Sequence, residues 1–314
     1  MNPTRRQVIH SLAGGGLILP GLLSELLAAE ATETAQPPQP AHFAPKAKRV
    51  IFLFMTGGVS HVDTFDPKPY LQKNHDKNYR GRRFFKGSDW KFRRYGDCGL
   101  EVSDLFPEIG SMADEICMIR SMKNINGDHF GATIGIHTGS ATFNRPSMGS
   151  WVSYGLGSTR RDLPAFMVIS PGMPYGGEQS WGSDFLPVVH QGTRLVPGSE
   201  PVANLRRRGL SGAEQKTQLD LLRFLNAQHR SGRETDSALS ARIESFETAF
   251  GMQSVAPEIF DLSGENDETH ELYGLERGNT ESFGWQCMVA RRLAERGVRF
   301  IELNLVLCIA SSMH

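Results

Sequence analysis

Six consecutive apolar residues, Val50-Ile51-Phe52-Leu53-Phe54-Met55, constrain the fold of this chain more than any other feature. A strand with one wet face alternates apolar and polar residues. A strand buried on both faces of a parallel sheet reads instead as a continuous apolar run. The run therefore predicts a strand covered by helices on both sides. Thr56-Gly57-Gly58 follows it, a loop where backbone can approach a ligand closely. Open α/β sheets bind ligands at the carboxyl ends of their strands. His61, Asp63 and Asp66 come directly after this loop.

Further apolar runs predict strands over 116–119, 165–169 and 298–305. Between them the spacing turns helical. Leu105, Phe106, Ile109, Met112 and Ile116 predict a helix capped by Ser103 or Asp104. Ser147 opens a helix through Trp151, Val152 and Leu156. Residues 211–250 read as two amphipathic helices. The first has a capping-box spacing at Ser211 and Glu214, and the second an apolar stripe at Leu239, Ile243, Phe246 and Phe250. Phe283, Cys287, Ala290 and Ala294 mark a last helix that Gly297 terminates. Strands alternating with helices predict an α/β fold with a mostly parallel sheet sandwiched by helices.

The amino terminus reads differently. Arg5 and Arg6 precede a weakly apolar stretch from Leu12 to Leu27, broken by Gly14, Gly15, Gly16 and Pro20. That stretch is too short and too broken for a stable membrane span, which needs about 20 apolar residues. Small residues at Ala28, Ala29 and Ala31 offer a cleavage site. Residues 1–31 are thus expected to be a twin-arginine signal, read by the translocation machinery that exports folded cargo. Residues 32–47 form a Pro- and Ala-rich linker, and residues 48–314 the domain. The expected location is the periplasm or the cell envelope.

Composition narrows the partners. The 34 basic residues balance the 34 acidic ones, so no global field draws the chain to nucleic acid or an anionic membrane. Cys98, Cys117, Cys287 and Cys308 form no C-x-x-C pair and read mostly as small buried residues. An exported chain permits a bridge between them, with no pairing specified.

Three groups can carry chemistry. His61 and Asp63, two residues apart after the first strand, either ligate a divalent metal such as zinc, manganese or calcium, or bond only to loop backbone. Asp128 and His129 precede a glycine-rich apolar stretch, at the start of a helix whose free N–H groups favour anions. Here Asp128 is a further candidate metal ligand and His129 the candidate catalytic group. His137 reads as a satisfied helix histidine before a ligand, and Ser147 as a helix cap before a nucleophile. The third group is seven basic residues between Arg80 and Arg94, interleaved with aromatics from Tyr79 to Tyr95. Arg93 and Arg94 are its candidate anion-binding pair, suited to a sulfated or carboxylated glycan. The alternative is a solvated loop whose aromatics pack inward.

Several long segments resemble one family: Arg49 to Pro69, Trp90 to Ile109, Ile119 to Ala132, Arg145 to Ser158 and Phe283 to Leu303. They are similar to the exported bacterial family catalogued as domain of unknown function 1501, placed beside the sulfatases and alkaline phosphatases. The resemblance implies a sulfatase-like sheet and metal-assisted hydrolysis of sulfate or phosphate esters on a small molecule or glycan. Sulfatases carry adjacent aspartates where Gly57 and Gly58 stand here, so His61 and Asp63 are the substitutes the resemblance leaves. The sulfatase nucleophile position falls near His129, which can act as a ligand or acid–base group. The family continues past its last strand with a tryptophan–aspartate–histidine segment, whereas this chain reads Asn304 to His314. The resemblance thus implies a domain incomplete at its carboxyl end, interrupted near Leu303 and short of the late metal ligands. A non-catalytic binding protein and a non-functional fragment are the competing expectations.

Overall fold

The computed structural model describes residues 43–44, 46–160, 162–202, 212–231 and 237–305. The expected signal, most of the linker, Ser211 and Cys308 lie outside the described residues. The chain divides into two units after Lys48. Among the described residues, every strand and helix belongs to the second unit, from Arg49 onward.

Its described strands are β1 (Val50–Met55), β2 (Asn78–Arg80), β3 (Arg83–Phe84), β4 (Phe92–Tyr95), β5 (Leu100–Ser103), β6 (Phe166–Ile169), β7 (Thr193–Leu195) and β8 (Phe300–Leu305). The helices are α1 (His61–Thr64), α2 (Pro69–Lys73), α3 (Pro107–Ser111), α4 (His129–Thr138), α5 (Met148–Leu156), α6 (Gly212–Arg230), α7 (Ser237–Phe260), α8 (Asp267–Leu272) and α9 (Phe283–Glu295). Four strands form one parallel sheet in the order β1-β8-β6-β7. β2 with β3 and β4 with β5 form two antiparallel hairpins. Helices flank the parallel sheet on both faces, so the fold is α/β.

The alternation of side chains along β6 and β8 divides the core in two. Met167, Ile169, Ile301 and Leu303 point to one face, where they join Met252, Ala256 and Ile259 of α7 and Trp285, Met288, Val289 and Leu293 of α9. Phe166, Val168 and Phe300 point to the other, packed with Trp181, Phe52 and Val152. α5 comes so close on this second face that a Cβ at Gly149 would lie 2.5 Å from the Phe166 ring. The central strands therefore meet the sequence expectation of burial on both faces.

β1 does not meet it. Its inner edge pairs with β8, but Val50, Ile51 and Leu53 are 41%, 43% and 53% exposed. The apolar run marks a strand, while its place at the edge of the described sheet leaves Val50, Ile51 and Leu53 open. Other expectations are corrected too. Residues 116–119 form no strand, and the helix expected from Leu105 shrinks to α3 followed by one 3₁₀ turn. Pro107 at its first turn fixes that start. Ser103 instead accepts from the Leu105 N–H, and Asp104 pairs with Arg93. Phe246, placed on an apolar stripe, is 63% exposed; α7 buries its later turns, and it runs on to Phe260. Cys98 and Cys117 are exposed rather than buried, while partial burial pushes the Cys287 thiol up to about 11.

The loop after α7 is fastened to α9 by charge. Glu265 accepts from Arg291 at 2.6 Å and from Arg292 at 2.7 Å, with only 14% of its side chain exposed. These guanidinium bonds, Arg291 first, hold its carboxyl below the ordinary glutamate range.

Two outcomes are expected. Gly149→Ala forces a methyl group into the Phe166 ring and lowers stability by about 1–2 kcal/mol despite the better helix former; chemical denaturation reads the loss. The depressed Glu265 carboxyl contributes stability above the ordinary glutamate range, and that stability disappears as pH falls through its lowered value. Glu265→Gln is expected to cost about 2 kcal/mol at neutral pH and to flatten the acid limb of a Tm-against-pH curve. An unchanged acid limb would remove this ion pair from the account.

Candidate functional site

The carboxyl ends of β1, β6 and β8 open on one rim. At the end of β1 the chain turns through Gly57, whose φ of 77° is a left-handed conformation suited to glycine. A Cβ there would sit 3.2 Å from the Tyr175 ring and 3.8 Å from His129. Tyr175 arrives on the loop after β6. His129 is the first residue of α4. Their rings stack with centroids 4.9 Å apart and planes 11° apart. Both are open to solvent. An imidazole, a phenol and exposed glycine backbone thus share one patch at the start of a ten-residue helix.

Asp128 caps that helix, accepting from the Gly131 N–H at 2.8 Å. One carboxylate oxygen is therefore committed to backbone. Asp63 is likewise committed: the Ser60 hydroxyl donates to it at 2.6 Å. Hydroxyls of Ser60 and Ser88, ahead of the more distant Lys86 charge, hold the Asp63 carboxyl below the ordinary aspartate range. His61 opens the single turn of α1 and is exposed. Asp66 pairs with Lys68 at 2.6 Å, which holds its carboxyl low as well. Among the described residues, no group of three or more His, Cys, Asp or Glu side chains converges in a way that could hold a metal ion. The expected ligands His61, Asp63 and Asp128 do not assemble such a group.

The basic and aromatic segment forms the two hairpins. Arg93 lies 2.8 Å from Asp104 across β4 and β5, and Arg94 projects from β4 into solvent. Tyr79, Phe84 and Trp90 are exposed, while Phe85 packs edge-on with Tyr70 and Tyr79. The aromatics are therefore only partly turned inward. Ser147 is the N-cap of α5, accepting from the Ser150 N–H.

Beneath the rim lies a group of polar side chains that spacing alone did not single out. Glu302 and Asn304 stand on β8 among apolar neighbours and are fully buried. They share a face with Phe52 and Phe54 of β1, their register partners. His137, two turns into α4, meets them with its ring edge-on to Phe54 at 4.5 Å. The signal in the sequence was the alternation Phe300-Glu302-Asn304 against Ile301-Leu303-Leu305, which places polar groups on a face the sheet buries.

These features define an α/β protein with a parallel sheet and a solvent-open rim at the carboxyl ends of its strands. The chain belongs to the DUF1501 family, described as proteins of unknown function, whose family model matches residues 47–306. No curated protein and no solved structure matches it.

Asp128 offers a test of cap against ligand. Asp128→Ala is expected to cost about 1 kcal/mol through the lost cap, and Asp128→Ser to restore most of it. A serine variant as unstable as the alanine one in thermal unfolding would show that the carboxylate does more than cap α4.

Proposed function

We propose that the protein is an exported member of its family that binds a small anionic ester, a sulfate or phosphate ester or the corresponding glycan, at the rim formed by Gly57, His129 and Tyr175. The observation that carries this reading is the His129–Tyr175 ring pair standing over Gly57 at the start of α4. Exposed backbone at Gly57 and Gly58, with the α4 N–H groups that Asp128 leaves open, can donate to an anion. The two rings supply a stacking surface and two polar handles, an imidazole and a phenol. Asp128 keeps α4 capped while leaving the His129 side chain free to face a ligand.

The export part of the proposal rests on the Arg5-Arg6 pair and the broken apolar stretch behind it, with the translocation machinery as the first partner and the periplasm or envelope as the destination. No described helix is long and apolar enough to cross a membrane. The zero net charge supports a small ligand over nucleic acid. We further read the domain as sulfatase-like, with a sheet that continues beyond the strands described here. The exposed apolar edge of β1 supports that reading, because such an edge is ordinarily paired or covered.

A second reading, ester hydrolysis with His129 as acid–base group and a divalent metal such as zinc, manganese or calcium at His61, Asp63 and Asp128, has the family resemblance behind it. The commitment of Asp63 to Ser60 and of Asp128 to Gly131 favours binding over this chemistry.

Calorimetric titration of the full chain with inorganic phosphate, sulfate and aryl esters decides between them. Binding is expected, weakened at least tenfold by His129→Ala, with no turnover of the esters. Absence of binding to all of these ligands would overturn the proposal. Turnover lost together with His129 and with Asp63 would install the hydrolase.

A further inference from the structure

The buried polar group under the rim has a chemistry of its own. His137 Nδ1 lies 2.7 Å from the Thr133 carbonyl oxygen. A carbonyl only accepts, so Nδ1 carries the proton and donates. Nε2 is then turned toward the sheet. It lies 3.2 Å from Glu302 Oε1, yet makes no hydrogen bond with any described residue. Glu302 is 1% exposed. Among the described residues its carboxyl group accepts one hydrogen bond, from Asn304 Nδ2 to Oε1 at 2.9 Å. Asn304 Oδ1 is buried and has no hydrogen-bond partner among the described residues. The same is true of Thr56 Oγ1, where the chain leaves β1 for the rim.

A buried carboxylate with so little compensation is costly unless a cation faces it. A protonated imidazole would supply one, but it would be expected to direct its N–H along a bond of about 2.7–2.9 Å. The observed 3.2 Å is at the long limit of such a bond and also matches a different arrangement. Two donors that each sit about 2.0–2.2 Å from one metal ion are about 3.0–3.4 Å apart in octahedral to tetrahedral geometry. A metal-binding histidine also characteristically fixes its other nitrogen on a backbone carbonyl, as His137 does on Thr133. The orphan amide oxygen of Asn304 is a third donor of the same hard-to-borderline class.

We propose that His137 Nε2, Glu302 and Asn304 Oδ1 form a buried site for a divalent cation of the zinc or manganese type, completed by water on the side of Thr56. The site is distinct from the rim residues His61, Asp63 and Asp128. It does not depend on the anion-binding reading. It lies between α4 and β8, so an ion held there would pin the helix that carries His129 to the centre of the sheet. Imidazole with carboxylate and amide oxygen suits zinc or manganese better than calcium, which prefers six to eight oxygens.

The test uses the full chain, stripped with chelator and titrated separately with Zn²⁺ and Co²⁺. One equivalent is expected to bind, with visible Co²⁺ absorption that reports a nitrogen–oxygen site and a higher Tm. Glu302→Gln and His137→Asn are expected to weaken binding at least a hundredfold, and Asp63→Asn with Asp128→Ser to leave it within threefold. Asn304→Asp provides a check that does not rely on loss, because an added carboxylate is expected to tighten Co²⁺ at least tenfold. Absence of stoichiometric metal in the folded chain would overturn the proposal and leave an ordered water or a proton in the cluster. Metal lost on changing Asp63 and Asp128, or an Asn304→Asp variant with unchanged affinity, would overturn it equally. Anion titration of the metal-free and metal-loaded chain separates this outcome from failure of the rim reading.

Discussion

Strand β8 is bonded on both edges, to β1 from Val50↔Phe300 to Met55↔Leu305 and to β6 from Phe166↔Phe300 to Ile169↔Leu303. It pairs directly with β1 and β6, and β7 joins the sheet through β6. β8 is the last described element, and it joins two strands from earlier in the chain. Parallel pairing demands such crossovers, and their long loops bring entropic cost before any contact forms. The return is a strand whose two faces complete two cores at once. Its odd residues close the layer of α7 and α9, and its even residues face α4 and α5.

That same strand carries the polar exception. Glu302 and Asn304 interrupt an otherwise apolar even face, and they do so where His137 descends from α4. A purely apolar face would pack at less electrostatic cost. The polar pair therefore disfavours any other register, since a slip by one residue would bury Glu302 among Met288 and Leu293. The rim above inherits that geometry. His129 is the first residue of the helix that carries His137, and Tyr175 meets it from the loop of the neighbouring strand. The surface hairpins with Arg93 and Arg94 stand apart from this logic; their charges are balanced locally or solvated.

Much of the fold was legible in the chain. The run at 50–55, the strands near 165–169 and 298–305, the Ser147 cap and the helix ending near Gly297 are all local signals, and each stands where the residues predict. The failures share one cause. The run at 50–55 could not reveal whether neighbours cover it, and β1 proved to be an edge. Ile116 to Ile119 are apolar enough for a strand, but among the described residues no strand pairs with them. Phe246 has the right spacing for a buried stripe and the wrong position along α7. In the site, His129 and Gly57 were visible as a histidine and a glycine loop, while Tyr175, 46 residues further along the chain from His129, had no local mark.

By itself the sequence determined the strands at 50–55, 165–169 and 298–305, the Ser147 cap, the helix that ends before Gly297, and the α/β arrangement of its apolar runs. These follow from steric and hydrogen-bonding preferences within a few residues of each position. Tertiary structure alone decided the strand order, the exposed edge of β1, the commitment of Asp63 and Asp128 to neighbouring groups, and the meeting of His137 with Glu302. Those depend on which distant segments become neighbours, and that is set by the summed burial of two cores on β8 rather than by any single stretch of chain.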